Sequence, residues 1–558
     1  MKKWYADIIV DISQEKLDRT FQYEIPQNLL GIIKTGTKVE VPFGKGSRTI
    51  SGYVIGISDK PKIEESKIKP VSKIWEKGIE IESKLIGLAG WMSREYGCTM
   101  NQALKTVLPV KEKKQQKETR TICLKIEPEE AKALLEEWER KHYKAKARLL
   151  EALLLKGVLS YTEATGNLKL SGAGIKKIEE SGIIQIENQK VYRDPVHRKE
   201  TKTVQKQLNE EQDRAVLEIL EEWESPFHRP VLLYGVTGSG KTEVYMKLIE
   251  TILREGKQAI VLIPEIALTY QTVERFRARF GECVSFLHSR LSAGERYDQM
   301  ERAKNGEISI IVGPRSALFT PFPNLGLIVI DEEQESSYKS EKTPCYHARE
   351  TAIERARQEK ANVVMGSATP TIESYERARK GEYLLVTLKS RYQNQVMPDV
   401  TIVNLAEELK AGNRSVFSQS LQDKIKERLE KKQQVMLFLN RRGYTGFVSC
   451  RACGHVMKCP HCDVSLTSHR NGKLICHYCG YTIPNVKECP SCGSPYIGGF
   501  KAGTQQIEEQ AHLFFPKARI LRMDADTTRR KDDHEKILSA FLAQEADILI
   551  GTQMIVKG

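Results

Sequence analysis

The sequence predicts a multidomain α/β protein, on three observations. From about residue 205, apolar strand-like runs alternate with helical stretches, the pattern of a parallel sheet covered by helices on both faces. A second alternating region starts near residue 418 and is interrupted by a stretch of paired cysteines. Ahead of both lie a β-rich start and a small helical unit. At 558 residues the length allows roughly four domains of ~100–200 residues each.

Apolar residues make up 40% of the chain, and the net charge is +14 with both signs abundant. Such an excess points to a polyanionic partner, nucleic acid first and an acidic membrane surface second. The start "MKKWYADIIVDISQEKLDRTF" has a basic pair but no apolar secretory core, and no apolar run nears the ~18 residues of a membrane span. A cytoplasmic chain with no membrane partner is expected. Of twelve cysteines, eight lie between 450 and 492, which in a cytosolic protein indicates metal rather than disulfides.

Residues 1–110 read as mostly β, a small barrel or sheet. "TKVEVPFG" sets Val39, Val41 and Phe43 on one face, and "ISGYVIGIS" is a further strand-like run. In the next division, 111–200, "KEKKQQKETR" is a charged, solvated connector. The amphipathic "KARLLEALLLKG" follows it, with short helices at "YTEATGNL" and "SGAGIKKIEESG" and a hairpin at "IIQIENQKVYR". Three helices and a wing suit a winged-helix DNA-binding module, with a plain helical spacer as the alternative. Residues 201–400 form the first alternating region, with strands "VLLYG", "AIVLIP", "ISIIVG", "LGLIVID" and "NVVMGSATP". The second region comprises 401–449, the cysteine insertion 450–492, and 493–558. No sequence-level repeat is visible.

"GVTGSGKT" at 235–242 fits G-x-x-x-x-G-K-S/T between a strand and an amphipathic helix. Gly235, Gly238, Ser239 and Gly240 belong to the phosphate loop, where backbone N–H groups wrap phosphates favoured by the helix N-terminus. Lys241 reaches the β- and γ-phosphates of ATP, and the Thr242 hydroxyl ligates Mg²⁺. "LIVIDEEQ" at 327–334 ends a buried strand in carboxylates: Asp331 holds the metal through water, and Glu332 orients or deprotonates the attacking water. Ser367 and Thr369 of "GSATP" are candidates to relay nucleotide state. Gln212 in "LNEEQ" is an adenine-edge ligand or an ordinary surface glutamine.

Four C-x-x-C pairs, at Cys450/Cys453, Cys459/Cys462, Cys476/Cys479 and Cys489/Cys492, supply two structural Cys₄ zinc sites. Redox dithiols are the alternative. Which pairs share an ion does not follow from the spacing. His455, His461, His469 and His477 lie among them and are expected at the surface.

The phosphate loop, acidic strand and "GSATP" together resemble a superfamily 2 helicase. "GVTGSGKTEVY", "IPEIALT", "GPRSALF", "GSATPTIES", "LFLNRRGY" with the cysteines behind it, and "GTQMIVKG" resemble the primosomal replication-restart helicases, the PriA family, over essentially the whole chain. The resemblance implies two RecA-like helicase lobes, the second carrying the zinc insertion. It also implies a 3′→5′ DNA helicase that binds stalled or repaired forks and starts reloading of the replicative helicase. DNA (forked, single-stranded and with 3′ ends), single-stranded-DNA-binding protein, and primosome and helicase-loader proteins are the implied partners.

For the cysteines, the resemblance implies a nested arrangement: Cys450, Cys453, Cys489 and Cys492 on one ion, the other four on the second. It also makes the N-terminal β region a pocket for the 3′ end of a nascent strand. Phe21 and Tyr23 would be its base-stacking aromatics, core packing being their alternative, with Gln22 where relatives carry Asp, and with Gly44 and Lys69. "QESSYKSEKTPCYHARE" resembles the family's aromatic-rich loop, with Tyr338 and Tyr346 stacking on bases and Lys339 and Arg349 meeting phosphates. Gln334 stands at a coupling position where many relatives have His, so no pH-dependent coupling is expected there. "GTQMIVKG" ends the sequence inside the family's fifth motif, without the sixth motif and its arginine, and Arg441 and Arg442 do not obviously replace it. The expectation is a chain that binds ATP and DNA and hydrolyses poorly, the alternative being a fork-binding scaffold that recruits a loader. An RNA helicase is a weaker reading.

Overall fold

The computed structural model describes residues 3–44, 48–76, 78–108, 110, 112, 117–191, 207–264, 270–391, 396–440, 448–469, 472–499, 503–524, 526–528, 533–552 and 555. The chain divides into two compact units, residues 1–264 with 278–390, and residues 265–277 with 391–558.

The first unit opens with a five-stranded sheet in the order Phe21–Glu24, Tyr5–Val10, Thr49–Ser58, Lys38–Pro42, Lys73–Ile74, every neighbour antiparallel. Alternation places Val39 and Val41 in its core, and Phe43 packs against that core from the side, as the period-2 pattern requires. This region is not mostly β to its end. Ser83–Glu95 and Met100–Val107 are helices, the second opened by a capping box between Thr99 and Gln102. Leu85, Leu88, Ala89 and Met92 recur at helical spacing and are buried in the same core as the large parallel sheet.

Residues 117–191 form a module with its own core of Ile122, Leu149, Leu150, Leu153, Leu159, Ile175, Ile178 and Ile184. Helices Pro128–Arg140, Lys144–Lys156, Tyr161–Gly166 and Gly172–Glu180 surround an antiparallel sheet, Val158–Ser160, Lys117–Leu124, Ile184–Val191. Two expectations are corrected. The charged connector stops by residue 117, because "TRTICL" alternates and makes Lys117–Leu124 the central strand. The strand Ile184–Val191 pairs with that distant strand and forms no hairpin of its own.

The seven-stranded parallel sheet of the first unit runs Val284–Phe286, Ile310–Gly313, Gln258–Leu262, Leu325–Asp331, Asn362–Ser367, Val231–Gly235, Leu384–Leu388. The first and last of these are edge strands that the sequence reading does not name. Open α/β sheets bind ligands beyond the carboxyl ends of their strands. The phosphate loop, Asp331 and Ser367 all lie at that end.

In the second unit, Val435–Phe438, Ile548–Gly551 and Ile520–Met523 make a parallel sheet in that order. Helices Gln419–Glu430 and Thr504–Phe514 contribute Ile425, Ile507 and Ala511 to its core. The cysteines sit in short antiparallel ribbons, Val448–Cys450 with Ile497–Gly499, and Thr467–Ser468, Lys473–Ile475, Thr482–Pro484. No helix among the described residues is long and apolar enough to cross a membrane. Arg441, Arg442, most of "IPEIALT" and most of "GTQMIVKG" lie outside the described residues.

Candidate active site and metal centres

The strand Val231–Gly235 turns through 236–240 into the helix Lys241–Arg254. Gly238 and Gly240 take φ of +80° and +84°, the left-handed region that glycine enters without a Cβ penalty. The Lys241 ammonium is buried and donates to the Gly235 carbonyl at 2.8 Å. Burial holds its pKa below the ordinary lysine value, against the charges of Glu332 and Asp331. Thr242 follows, half-buried.

Gln212 is turned into the protein and buried, not at the surface. Its amide nitrogen donates to the Ser239 carbonyl at 2.8 Å, and its oxygen accepts from the Asn209 N–H at 3.0 Å. The capping box at 209–212 fixes that orientation, so the side chain braces the phosphate loop. A Cβ on Gly240 would strike the same amide.

Asp331 ends its strand beside this loop. Its carboxyl is pushed up to about 6 by burial and by the neighbouring charge of Glu332, while Lys241 and the Tyr245 hydroxyl oppose the shift. Tyr245, fully buried on the phosphate-loop helix, donates to Asp331 Oδ1 at 3.2 Å. Gly366 makes room for it: a Cβ there would fall on the tyrosine hydroxyl. The sequence reading did not single out Tyr245.

Glu332 has a φ of +51°, unusual for a residue with a side chain and typical of strained functional positions. Its carboxylate accepts from Gln334 Nε2 at 2.7 Å, and Gln334 Oε1 accepts from Ser367 Oγ at 2.6 Å. Ser367 Oγ in turn accepts from the Thr369 N–H at 2.9 Å. The structure thus brings Glu332, Gln334, Ser367 and Thr369 into one hydrogen-bonded chain. Thr369 takes part through its backbone.

The loop after these carboxylates departs from expectation. Tyr338 is buried, its hydroxyl donating to the carbonyls of Asp331 at 2.7 Å and Leu262 at 3.0 Å. Tyr346 is buried edge-on against Phe319, with ring centroids 5.4 Å apart. Arg349 is buried too, and donates to Glu333 at 2.9 Å, Thr371 at 2.8 Å, Ser374 at 2.7 Å and Glu350 at 3.0 Å. Glu333 has no exposed surface, so Arg349 answers a buried charge and is not held out for a phosphate. Lys339 alone of these four is exposed. The sequence reading also passed over Arg315, which clamps the loop by donating to the Ser337 and Lys339 carbonyls at 2.8 and 2.6 Å.

At the N-terminus, strand alternation separates the expected pocket residues. Tyr23 lies in the core, and its hydroxyl donates to the Pro42 carbonyl at 3.0 Å. Burial pushes that phenol up to about 12. Gln22, on the opposite face, accepts from the Lys62 N–H at 2.6 Å and donates to the Lys60 carbonyl at 3.3 Å, holding its own loop. Phe21 remains half-buried, edge-on to Phe43 at 5.3 Å and beneath the Arg19 guanidinium at 5.2 Å. Lys69 donates to the Gly44 carbonyl at 3.2 Å. Phe21 and Tyr23 therefore share one face of their strand and one core, Lys69 holds Gly44, and Gln22 alone is turned to the opposite face.

The eight cysteines converge in two groups, Cys450, Cys453, Cys489, Cys492 and Cys459, Cys462, Cys476, Cys479, the sulfurs of each within 4.8 Å of one another. Cys450–Cys492, Cys453–Cys489 and Cys459–Cys479 have Sγ–Sγ separations of 3.7, 3.6 and 3.5 Å. Tetrahedral zinc–sulfur bonds of ~2.3 Å set sulfurs about 3.8 Å apart, whereas a disulfide needs ~2.05 Å. The donor set fits zinc.

Each pair repeats one turn. The N–H four residues after the first cysteine returns to that cysteine's carbonyl, at Gly454, Asp463, Gly480 and Gly493. All four of these residues have positive φ. Against burial, backbone N–H groups together with the Cys492 and Cys453 thiols pull Cys450 down to about 7, and backbone N–H groups lead in drawing Cys476 to about 7 as well. The Cys479 thiol, first among the causes, pushes Cys462 up to about 12. Thiols so crowded ionise together only around a cation. His469, half-buried, and His477, exposed, face each other at 3.3 Å and are not part of either group.

Three family models match the chain: 3′DNA-binding domain (3′BD) over residues 7–109, DEAD/DEAH box helicase over 209–378, and PriA DNA helicase Cys-rich region domain over 459–484. Replication restart protein PriA of Bacillus subtilis (strain 168) is 42% identical, over 99% of this chain and 77% of its own length. The Chlamydia pneumoniae protein of the same name is 37% identical, over 99% and 74%. A solved structure of RecG bound to a three-way DNA junction is 16% identical with a TM-score of 0.34, covering 62% of this chain and 36% of that one.

Proposed function

The chain belongs to the replication restart protein PriA family, and from that premise we propose that Lys241, Thr242, Asp331 and Glu332 make it an ATP-dependent DNA helicase that restarts replication at forks. The observation that carries this reading is the convergence of the phosphate loop, the strand-end carboxylates and the Gln334–Ser367 relay at the carboxyl end of the parallel sheet. In it, the N–H groups of the loop 235–240 bind ATP phosphates, and Lys241 exchanges the Gly235 carbonyl for a phosphate oxygen. Its ammonium is already stripped of water, so the exchange costs little hydration. Thr242 and Asp331 would hold Mg²⁺, which supplies charge neutralisation at the phosphates when bound. Glu332 orients the attacking water and takes its proton. Gln334 reports the state of Glu332 to Ser367 and Thr369 without titrating.

Two structural zinc ions on the cysteine groups, a 3′-end pocket about Phe21, Gly44 and Lys69, and a phosphate contact at Lys339 complete the proposal. In the same reading, residues 1–110 bind 3′ ends, 117–191 is the winged helix, and the cytoplasm is the setting. Single-stranded-DNA-binding protein, primosome and helicase-loader proteins are the proposed partners. ATP hydrolysis by the chain with and without forked DNA tests this, beside a Lys241→Ala control. DNA-stimulated turnover that disappears in the control is expected, and DNA-independent turnover unaffected by Lys241→Ala would refute the assignment.

A further inference from the structure

The helices Ser83–Glu95 and Met100–Val107 fall inside the 3′ DNA-binding match at 7–109, yet share one buried core with the ATP-binding sheet. Both ends of the pair are fastened. At one end the Met100 N–H donates to Asp18 Oδ1 at 2.7 Å, Asn101 Nδ2 donates to Ser13 Oγ at 2.9 Å, and Lys105 pairs with Asp11 at 2.6 Å. Asp18 directly precedes Arg19, the cation over the Phe21 ring.

At the other end, Tyr96 closes the first helix and meets the loop that follows the carboxylates. Its hydroxyl accepts from the His347 N–H at 3.3 Å and lies 3.4 Å from Thr351 Oγ1, while Lys339 Nζ stands 5.5 Å from its ring centroid. Lys339 and His347 are bridged strand-fashion, so both contacts fall on one small hairpin. That hairpin begins one residue after Tyr338, whose hydroxyl holds the Asp331 carbonyl. From Asp18 to Asp331 the contacts are continuous and, through the helices, rigid.

We propose that Tyr96 is a positioning residue that transmits occupancy of the 3′ DNA-binding domain to the ATP site, by tying the Lys339–His347 hairpin to that domain. Packed helices move as bodies, so a shift at Asp18 is delivered at Tyr96. The hairpin is the element able to respond: its lysine is exposed, and it joins Tyr96 at His347 through hydrogen bonds longer than 3.2 Å. The inference rests on the reading that this chain binds both ATP and forked DNA.

Coupling between two sites is reciprocal and measurable without turnover. Affinity for a fluorescent ATP analogue is measured on the full chain alone, with a saturating fork bearing a free 3′ end, and with the same fork blocked by a 3′-phosphate. The free-ended fork is expected to shift the wild-type Kd by about fivefold or more, and the blocked fork by less. Tyr96→Phe keeps the ring and the Lys339 contact and removes only the hydroxyl. It should bring the shift close to one, with nucleotide affinity alone, fork affinity alone and the thermal midpoint unchanged. An undiminished shift in Tyr96→Phe overturns the inference, as does equal weakening of nucleotide binding without DNA, which marks a merely structural role. A wild-type shift of one also overturns it while the helicase reading stands. Failure of wild type to bind either ligand removes that reading and the inference with it.

Discussion

In the ATP-binding lobe, the phosphate loop, Asp331 and Ser367 sit at the ends of strands buried along nearly their whole length. In the cysteine module, Cys459 and Cys476 are themselves two of the five buried core residues, beside Val448, Leu466 and Leu474. The first region fixes its side chains by packing between residues far apart in sequence, such as Tyr245 with Asp331 and Arg349 with Glu333. The second fixes them by one local turn used four times, closed by whatever binds the sulfurs. Precision in the lobe is a property of the fold. In the module it is a property of the ligand.

The strongest way to break this comparison is to chelate the metal. Zinc binding contributes about 10–16 kcal/mol in small zinc modules, far more than a five-residue core supplies. Amide exchange of 448–499 should accelerate to unfolded rates while the parallel sheet of the lobe keeps its protection, and metal analysis should return two ions per chain. Protection that survives chelation would give the module a fold of its own.

Next in size is Arg349→Ala, which strands the buried Glu333 carboxylate and should cost about 3–5 kcal/mol in urea unfolding. Fork affinity at fixed salt should stay at its wild-type value. Wild-type stability with weakened DNA binding would return Arg349 to the role of a phosphate ligand.

A smaller cost tests the tightness of the lobe. Gly366→Ala drives Tyr245 off Asp331 and should destabilise by about 1–3 kcal/mol, as overpacking does. Combined with Tyr245→Phe, only part of that cost should vanish, because the hydroxyl is the nearest atom but the ring Cζ at 2.6 Å stays crowded. Additive costs would show that the crowding lies elsewhere.

The smallest effect belongs to the local turns. Three of the four end in glycine and one in Asp463 at φ +53°. Asp463→Gly should therefore stabilise the zinc-loaded chain by a few tenths to about 1 kcal/mol, seen as a higher thermal midpoint. Loss of the exposed Lys458–Asp463 pair at 3.1 Å offsets little of it. A lower midpoint would mean that this pair matters more than the backbone.

The same contrast governs what was legible in the sequence. Alternating apolar runs reveal the parallel sheet, and the phosphate loop and cysteine pairs declare their chemistry by spacing alone, because in each the partners are near neighbours. Tyr338, Tyr346 and Arg349 misled, since an aromatic and basic stretch after an acidic motif has the composition of a nucleic-acid loop whichever way its side chains point. The fully buried charged partner of Arg349 is Glu333, 16 residues upstream, and no pattern marks that distance. Tyr245 and Arg315 escaped for the same reason: their partners are a strand-end carboxylate and two backbone carbonyls. Tyr23 was open to a core reading, and period-2 alternation with Gln22 decided it. The helix Ser83–Glu95 carried a usable signal in Leu85, Leu88, Ala89 and Met92.

Those four residues are buried together with Leu104, Leu318, Ile328 and Ile330. The helices of the 3′ DNA-binding match and the ATP-binding lobe thus share one core, although a whole module at 117–191 lies between them in sequence. A fragment starting at residue 207 would carry the full phosphate loop and still present an open apolar wound where the N-terminal helices belong. It should precipitate or swell on dilution from denaturant. Excising 117–191 and joining its flanks should instead leave a soluble chain in which the N-terminal helices and the ATP-binding lobe still melt together.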